Sequence, residues 1–148
     1  MRQPTSSEVI AALGQYLAGR NMVRYSATYE GDDPMPAFID GLLPPDPDTV
    51  VAATIVRDDR ERDLDNPDID VRLRFRAAAG ADRTADDIAD VHFFVLHVPD
   101  HVVRKEVWPG GVRVLDVRRV VRAPSFQDAN GRTVRADDYR ITLNPKEQ

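Results

Sequence analysis

The sequence predicts an α+β sandwich: a mostly antiparallel sheet with two helices packed on one face, a C-terminal β-hairpin, and a long charged loop between two strands. Three observations carry that prediction. Ile69, Val71, Leu73 and Phe75 alternate without a break with Asp70, Arg72, Arg74 and Arg76, the period-2 signature of a strand with one buried side. Two segments, one near the start and one after Arg83, space their apolar residues at helical intervals. Asn130-Gly131 stands between two β-rich runs and favours a type I′ hairpin turn.

The elements follow in chain order. Val9, Ile10, Leu13, Tyr16 and Leu17 would share one face of a helix from Ser7 to about Leu17, with Ser6 or Ser7 as cap, Glu8 in the first turn and Gly19 as a stop. Met22-Val23-Arg24-Tyr25 reads as a short strand, Glu30 to Pro36 as loop, and Ala37 to Leu43 as another short strand ending at Pro44-Pro45. Thr49 to Val56 is nearly all apolar and β-branched, as expected of a central strand buried on both sides. The mixed-charge run Arg57 to Asp68 has almost nothing to bury and reads as a mobile excursion between two paired strands. The alternating strand Ile69 to Ala77 comes next, then a turn over Ala78 to Arg83.

Thr84 caps the second helix, and Asp86 and Asp87 suit its first turn. Its apolar face is Ile88, Val91, Phe94, Val95 and Val98, and Pro99 ends it. Gly110-Gly111 makes a turn after Trp108-Pro109. Val112 to Val121 and Arg132 to Leu143 then form the hairpin. A two-residue turn would place Val120 opposite Ile141 and Val121 opposite Arg140. Pro124 implies a bulge or an edge position in the first of these strands.

Composition narrows the function. With 148 residues the chain suits one domain, which buries roughly 70% of its unfolded surface. The absence of cysteine excludes disulfides, thiolate zinc sites and cysteine nucleophiles. No apolar run approaches the roughly 20 residues that cross a bilayer. The opening Met1-Arg2-Gln3-Pro4-Thr5-Ser6-Ser7 does not read as a secretory signal. The balance of 20 basic to 25 acidic residues, net −5, disfavours sequence-independent DNA binding, which draws its affinity from counterion release at a basic surface. Such binding would revive only if Arg113, Arg118, Arg119, Arg122, Arg132, Arg135 and Arg140 formed one patch.

Motifs for chemistry are sparse. His97 and His101 have the spacing of a helical metal pair, but Pro99 lies between them; with His92 they read as surface or boundary histidines. Asp63, Asp65 and Asp68 offer hard oxygens, yet Asp68 and Arg74 stand where a calcium loop needs Gly and Glu. Asp58-Asp59, Asp86-Asp87 and Asp137-Asp138 are adjacent pairs, and adjacent side chains do not converge on one site. No nucleophile elbow, phosphate loop or dinucleotide fingerprint occurs. The expectation is a non-enzymatic protein with no catalytic residue, metal or cofactor.

Short stretches in a shared order add a resemblance. Gly110-Gly111-Val112, Gln127-Asp128-Ala129-Asn130-Gly131-Arg132 and Asp138-Tyr139-Arg140-Ile141-Thr142-Leu143 resemble the C-terminal half of the tail terminator proteins, also called minor capsid proteins, of long-tailed bacteriophages of the actinobacterial-phage type. Arg24-Tyr25, Tyr29, Ala37-Phe38-Ile39, Gly41-Leu42-Leu43-Pro44 and Pro47-Asp48 resemble the short strands after that family's first helix. Val71 to Arg76 followed by Ala85 to Asp90 resembles its arginine-bearing strand and second helix. Thr133-Val134 depart from the aromatic residue common in the family after the turn.

The resemblance implies a structural virion protein at the head–tail junction, present in the host cytoplasm before assembly. It would form a homo-oligomeric ring of six subunits that caps the head-proximal end of the tail tube. Its partners would be the tail tube protein and a head–tail connector or stopper protein. DNA would pass through its lumen without specific binding. A closed ring needs two different complementary patches per subunit. The candidates are the arginine face, Arg72, Arg74 and Arg76, and the acidic loop with Asp58, Asp59, Glu61, Asp63 and Asp65. The alternatives are another junction component, such as a tail completion or connector protein, and a small-molecule-binding or enzymatic α+β domain.

Overall fold

The computed structural model describes residues 3–31, 33–97 and 104–145. The chain folds as α1 (Ser6–Gly19), β1 (Ala37–Asp40), β2 (Val50–Asp58), β3 (Asp68–Ala77), α2 (Ala85–Leu96), β4 (Glu106–Trp108), a 3-10 turn (Pro109–Gly111), β5 (Val112–Arg122), β6 (Phe126–Gln127) and β7 (Thr133–Leu143). One sheet holds all seven strands in the order β1-β2-β3-β7-β5-β4, with β6 also paired to β7. Only β1 and β2 run parallel. The α+β class and the mostly antiparallel sheet are as expected.

Both helices pack on one side of the sheet. Val9, Leu13 and Leu17 of α1 and Ile88, Ala89 and Leu96 of α2 join a single core with Ile69, Val71, Leu73 and Phe75 of β3 and Tyr139, Ile141 and Leu143 of β7. Trp108 closes one flank, stacked on Tyr16 with ring centroids 4.7 Å apart. Gly14 lets β1 approach α1: a Cβ there would lie 2.5 Å from the Phe38 ring.

Several local expectations change. The cap of α1 is Thr5, not Ser6 or Ser7, because Thr5 and Glu8 form a reciprocal capping box. Met22–Tyr25 forms no strand; Arg24 makes a single bridge to Ala37. The strand expected over Ala37 to Leu43 stops at Asp40. β2 lies second from the sheet edge, and only its first four residues are fully buried.

The register of α2 also differs. Val91 and Phe94 are exposed, Phe94 by 77%, while His92 takes the core position beside Phe75. With its Nδ1 on the Ile88 carbonyl at 2.8 Å, the neutral imidazole packs as an apolar ring, which rotates the buried stripe. α2 ends at Leu96 with His97 as its C-cap; Val98, Pro99 and His101 lie outside the described residues.

The hairpin turn has three residues rather than two. Gly131 N–H donates to the Asp128 carbonyl, Gly131 has φ 76°, and Asp128 N–H donates to the Arg132 carbonyl. The Asp128 carboxylate fixes this loop by accepting from the Asn130 and Arg132 amides. The turn moves the register by one place, the break around Pro124 by another and the bulge at Val120 by a third, so that Val117 faces Ile141 and Arg118 faces Arg140. After Arg122 the strand breaks across Pro124 before β6 resumes the pairing, in keeping with the expected irregularity.

Candidate functional site

Side chains of β3 and β7 that point away from the helices build an open, charged sheet face. Cross-strand register sets Asp68 opposite Thr142, Asp70 opposite Arg140, and Arg72 opposite Asp138. Each pair closes. Asp68 accepts from Thr142 Oγ1 at 2.7 Å. Arg140 makes two bonds to Asp70, at 3.0 and 3.2 Å. Arg72 makes two to Asp138, at 2.8 and 3.1 Å. Directly opposed unlike charges are the favourable case on a sheet, and bidentate arginine–carboxylate pairs add directional specificity. The hydrogen bonds Arg72 donates to Asp138 raise its pKa, and those Arg140 donates to Asp70 raise its own.

The two signs sit at different depths. The carboxylates of Asp70 and Asp138 lie near the sheet at 10% exposure, while the guanidiniums of Arg140 and Arg72 stand out at 38% and 39%. Arg57 reaches Asp70 from β2 at 3.8 Å, and Arg118 lies beside Arg140 on β5. The layer that meets solvent is therefore rich in arginine, in a chain that is acidic overall.

The three arginines predicted for this face have different fates. Arg72 pairs with Asp138. Arg74 donates to Thr54 Oγ1 at 2.9 Å. Arg76 is not displayed: it is 3% exposed and donates to the Pro47 and Asp48 carbonyls at 2.7 and 2.9 Å. The Pro45–Asp48 segment folds over this end of the sheet, so its carbonyls need a buried donor. Burial, and then Arg132 nearby, lowers the Arg76 pKa.

The acidic residues gather at the opposite end of β3, apart from those arginines. Asp58 closes β2 and pairs with Arg60 at 3.1 Å; Asp59 takes Arg62. The expected mobile excursion is tied down at several points. Asp59 N–H donates to the Asp68 carbonyl, Arg60 to the Pro4 carbonyl, and Gln3 Nε2 to the Leu64 carbonyl. The Asp63 carboxylate accepts from the amides of Asp65 and Asn66, and Asn66 Nδ2 reaches the Leu143 carbonyl at 3.1 Å. Glu61, Asp63 and Asp65 remain at the exposed tip.

A second cluster escaped sequence reasoning. Arg135 of β7 points toward the helices and is wholly buried. It binds Asp137 through two bonds, at 3.0 and 2.9 Å, and Asp86 and Asp90 of α2 at 3.0 Å each. Burial works to lower its pKa, but the bonds to Asp137, Asp86 and Asp90 outweigh it and raise it overall. Arg135 in turn is the main reason Asp86 titrates below the usual carboxylate range. Tyr139 lies next along the same face. Its hydroxyl is buried without a hydrogen-bond partner, and burial, reinforced by Asp137, pushes its pKa up. The cluster clamps α2 to β7; Arg119 joins it at 3.6 Å from Asp137 and lies 4.0 Å above the Phe93 ring. Alternation along Arg132 to Leu143 was the available signal: the face of Tyr139, Ile141 and Leu143 continues back through Asp137 and Arg135.

Adjacent carboxylates diverge as expected, with Asp137 on the helix side and Asp138 on the open face. The seven arginines that would have suited nucleic acid are divided between faces: Arg118 and Arg140 lie on the open side, whereas Arg135 is sealed under α2. Among the described residues no histidine–carboxylate group could hold a metal ion, and no helix is long and apolar enough to cross a membrane. A concavity of about 280 Å³ lies between the start of α1 and the 3-10 turn, where Glu8 is already committed to capping. A trough of about 430 Å³ beside Tyr29 has that hydroxyl tied to the Phe38 carbonyl at 2.6 Å. The chain matches no protein-family model, and no curated protein matches it.

Proposed function

We propose that this chain is a structural subunit of the tail terminator type, which tiles with copies of itself into a ring at the head-proximal end of a long-tailed phage tail. The observation that carries the reading is the open sheet face, on which fixed ion pairs hold exposed guanidiniums in place. Rigid, preordered side chains suit a protein partner, because little rotamer entropy remains to be lost on contact. Arg72 and Arg74, with Arg140 and Arg118, supply that surface to a tube or connector protein. Electrostatic complementarity of this kind sets register and partner choice more than raw affinity. The acidic balance of the whole subunit suits a lumen through which DNA slides without being held.

Position in the particle tests the proposal. Antibody labelling of purified virions should mark the junction of head and tail and nothing else. Label elsewhere on the particle, absence of the chain from virions, or turnover of a metabolite by the purified protein would overturn it. Fine mapping within the neck separates a terminator from a tail completion or connector protein.

A further inference from the structure

The net charge of the chain is concentrated in one segment. Of the 20 basic and 25 acidic residues, one and six fall between Asn21 and Thr49, so the remainder balances at 19 of each and the whole −5 belongs to that segment. It contains β1, an edge strand of the sheet, and the loops on either side. Its one base is turned inward: Arg24 donates Nε to the Met35 carbonyl at 3.0 Å and lies over the Tyr29 ring. Asp48 is held by Arg132, and Asp33 accepts from the Met35 amide. Asp40 and Asp46 are exposed and make no hydrogen bond or ion pair among the described residues. Arg76, buried beneath this segment, feels the charge of Asp46 without pairing with it. Two concavities, of about 280 and 430 Å³, are both lined by Ser26, Ala27, Phe38 and Asp40. Together they make a groove from Ile10 of α1 across β1 to Asp46 and Pro47. Its wall is largely apolar, and Tyr25, 42% exposed, tilts against the Phe38 ring at 6.0 Å.

We infer that this groove takes an arginine side chain from an extended segment of a different protein, with the guanidinium on Asp40 and its flat face against Tyr25. A free carboxylate beside an exposed aromatic ring suits that group: the carboxylate accepts the planar fork through two bonds, and the ring attracts the cation. Ala27 and Phe38 offer apolar surface to the side-chain stem. Asp46 adds a second unpaired charge at the far end, for another base of the same segment. The wall is preordered, because the Tyr29 hydroxyl donates to the Phe38 carbonyl at 2.6 Å, so little order remains to be gained on binding. A second copy of this chain is a poor occupant. Its balanced remainder leaves few free cations, with Arg72 on Asp138, Arg140 on Asp70 and Arg118 on Asp116. The inference does not rest on the terminator reading.

Amide spectra of the isotope-labelled full-length protein, titrated with a blocked arginine–glycine–serine repeat peptide, test the site. Saturable shifts should appear at Ser26, Ala27, Phe38 and Asp40. The citrulline counterpart, which keeps the shape without the charge, should give none. The lysine counterpart should bind about tenfold more weakly, because an ammonium lacks the planar fork. Asp40→Asn should weaken the arginine peptide by about tenfold, and since the Asp40 side chain bonds to nothing within the chain, the variant keeps its fold. Glu61→Gln, which removes an exposed carboxylate outside the groove, should leave the affinity unchanged. Shifts spread evenly over the acidic residues, equal binding of the lysine counterpart, an unchanged affinity for Asp40→Asn, or no saturation at millimolar peptide would overturn the inference.

Discussion

Lowering the pH should weaken the fold through His92. The ring is 1% exposed, its Nδ1 is engaged by the Ile88 carbonyl, Phe75 packs edge-on at 5.0 Å, and Nε2 has no partner. Burial, with Arg83 adding to it, pushes its pKa from 6.5 down to about 4. The native state therefore stays neutral in a range where the unfolded chain binds a proton. Stability is at its full value above the unfolded pKa, falls as pH drops between these two values, and is lost in full below the lower one. At about 1.4 kcal/mol per unit, the whole shift amounts to about 3 kcal/mol, a large share of a typical domain's 5–15. Urea melts of the wild type and of His92→Leu, compared at neutral pH and at about pH 4.5, isolate this effect from the titrating carboxylates both proteins share. The wild type should lose about 2–3 kcal/mol more than the variant over that window. Parallel losses, or an imidazole proton resonance that titrates near 6.5, would refute the reasoning.

Other perturbations have equally specific outcomes. Gly14→Ala should lower the melting temperature by the equivalent of about 1–3 kcal/mol, because the new Cβ meets the buried Phe38 ring at 2.5 Å and Tyr25 at 2.8 Å; overpacking then outweighs the gain of about 1 kcal/mol in helix propensity. Arg135→Met should cost about 3–5 kcal/mol in chemical denaturation by leaving the buried Asp137 with only Arg119, 3.6 Å away, and the double variant Arg135→Met/Asp137→Leu should recover most of it. Thr5→Ala should cost about 1 kcal/mol and fray the start of α1, seen as faster amide exchange at Glu8.

Much of this fold was legible in the chain, and the failures share a cause. Ile69 to Ala77 could be read outright, because period-2 alternation has one explanation when a single face is buried. The arginines opposite that face were equally visible, but their partners were not. Whether Arg72 meets Asp138 or water depends on the register of a strand 66 residues later. The apolar spacing of α2 predicts a rotated face because it treats His92 as polar, although an imidazole bonded to the Ile88 carbonyl buries like an aromatic ring. Asn130-Gly131 suggests a two-residue turn, but the Asp128 side chain stabilises a longer loop, and that loop, the break around Pro124 and the bulge at Val120 each move the partners along β5 by one place. Arg135 stayed hidden because its three carboxylates come from two elements.

Ion pairs and exposed apolar groups lie side by side on the molecule, Val121 next to the Arg72–Asp138 pair among them, and the proposed assembly would use the two differently. Paired arginines and carboxylates on the open face have already neutralised one another, so burying them against a partner returns little net energy. Their part in a ring would be orientation, and it would be sensitive to salt over distances of about 8 Å. Binding energy would have to come from the exposed apolar side chains, above all Phe94, Leu42, Leu64 and Phe126, in the way small clusters of anchors dominate other interfaces. Those anchors are single residues surrounded by charge, too small to drive indiscriminate aggregation. Free subunits of net charge −5 would repel at long range, whereas complementary charges at a contact act only within a screening length. The two contributions then answer salt in opposite ways: added salt relieves the repulsion and weakens the complementary contact. Oligomer yield should therefore pass through a maximum as ionic strength rises, whereas a purely apolar contact would strengthen throughout and a purely ionic one would only decline.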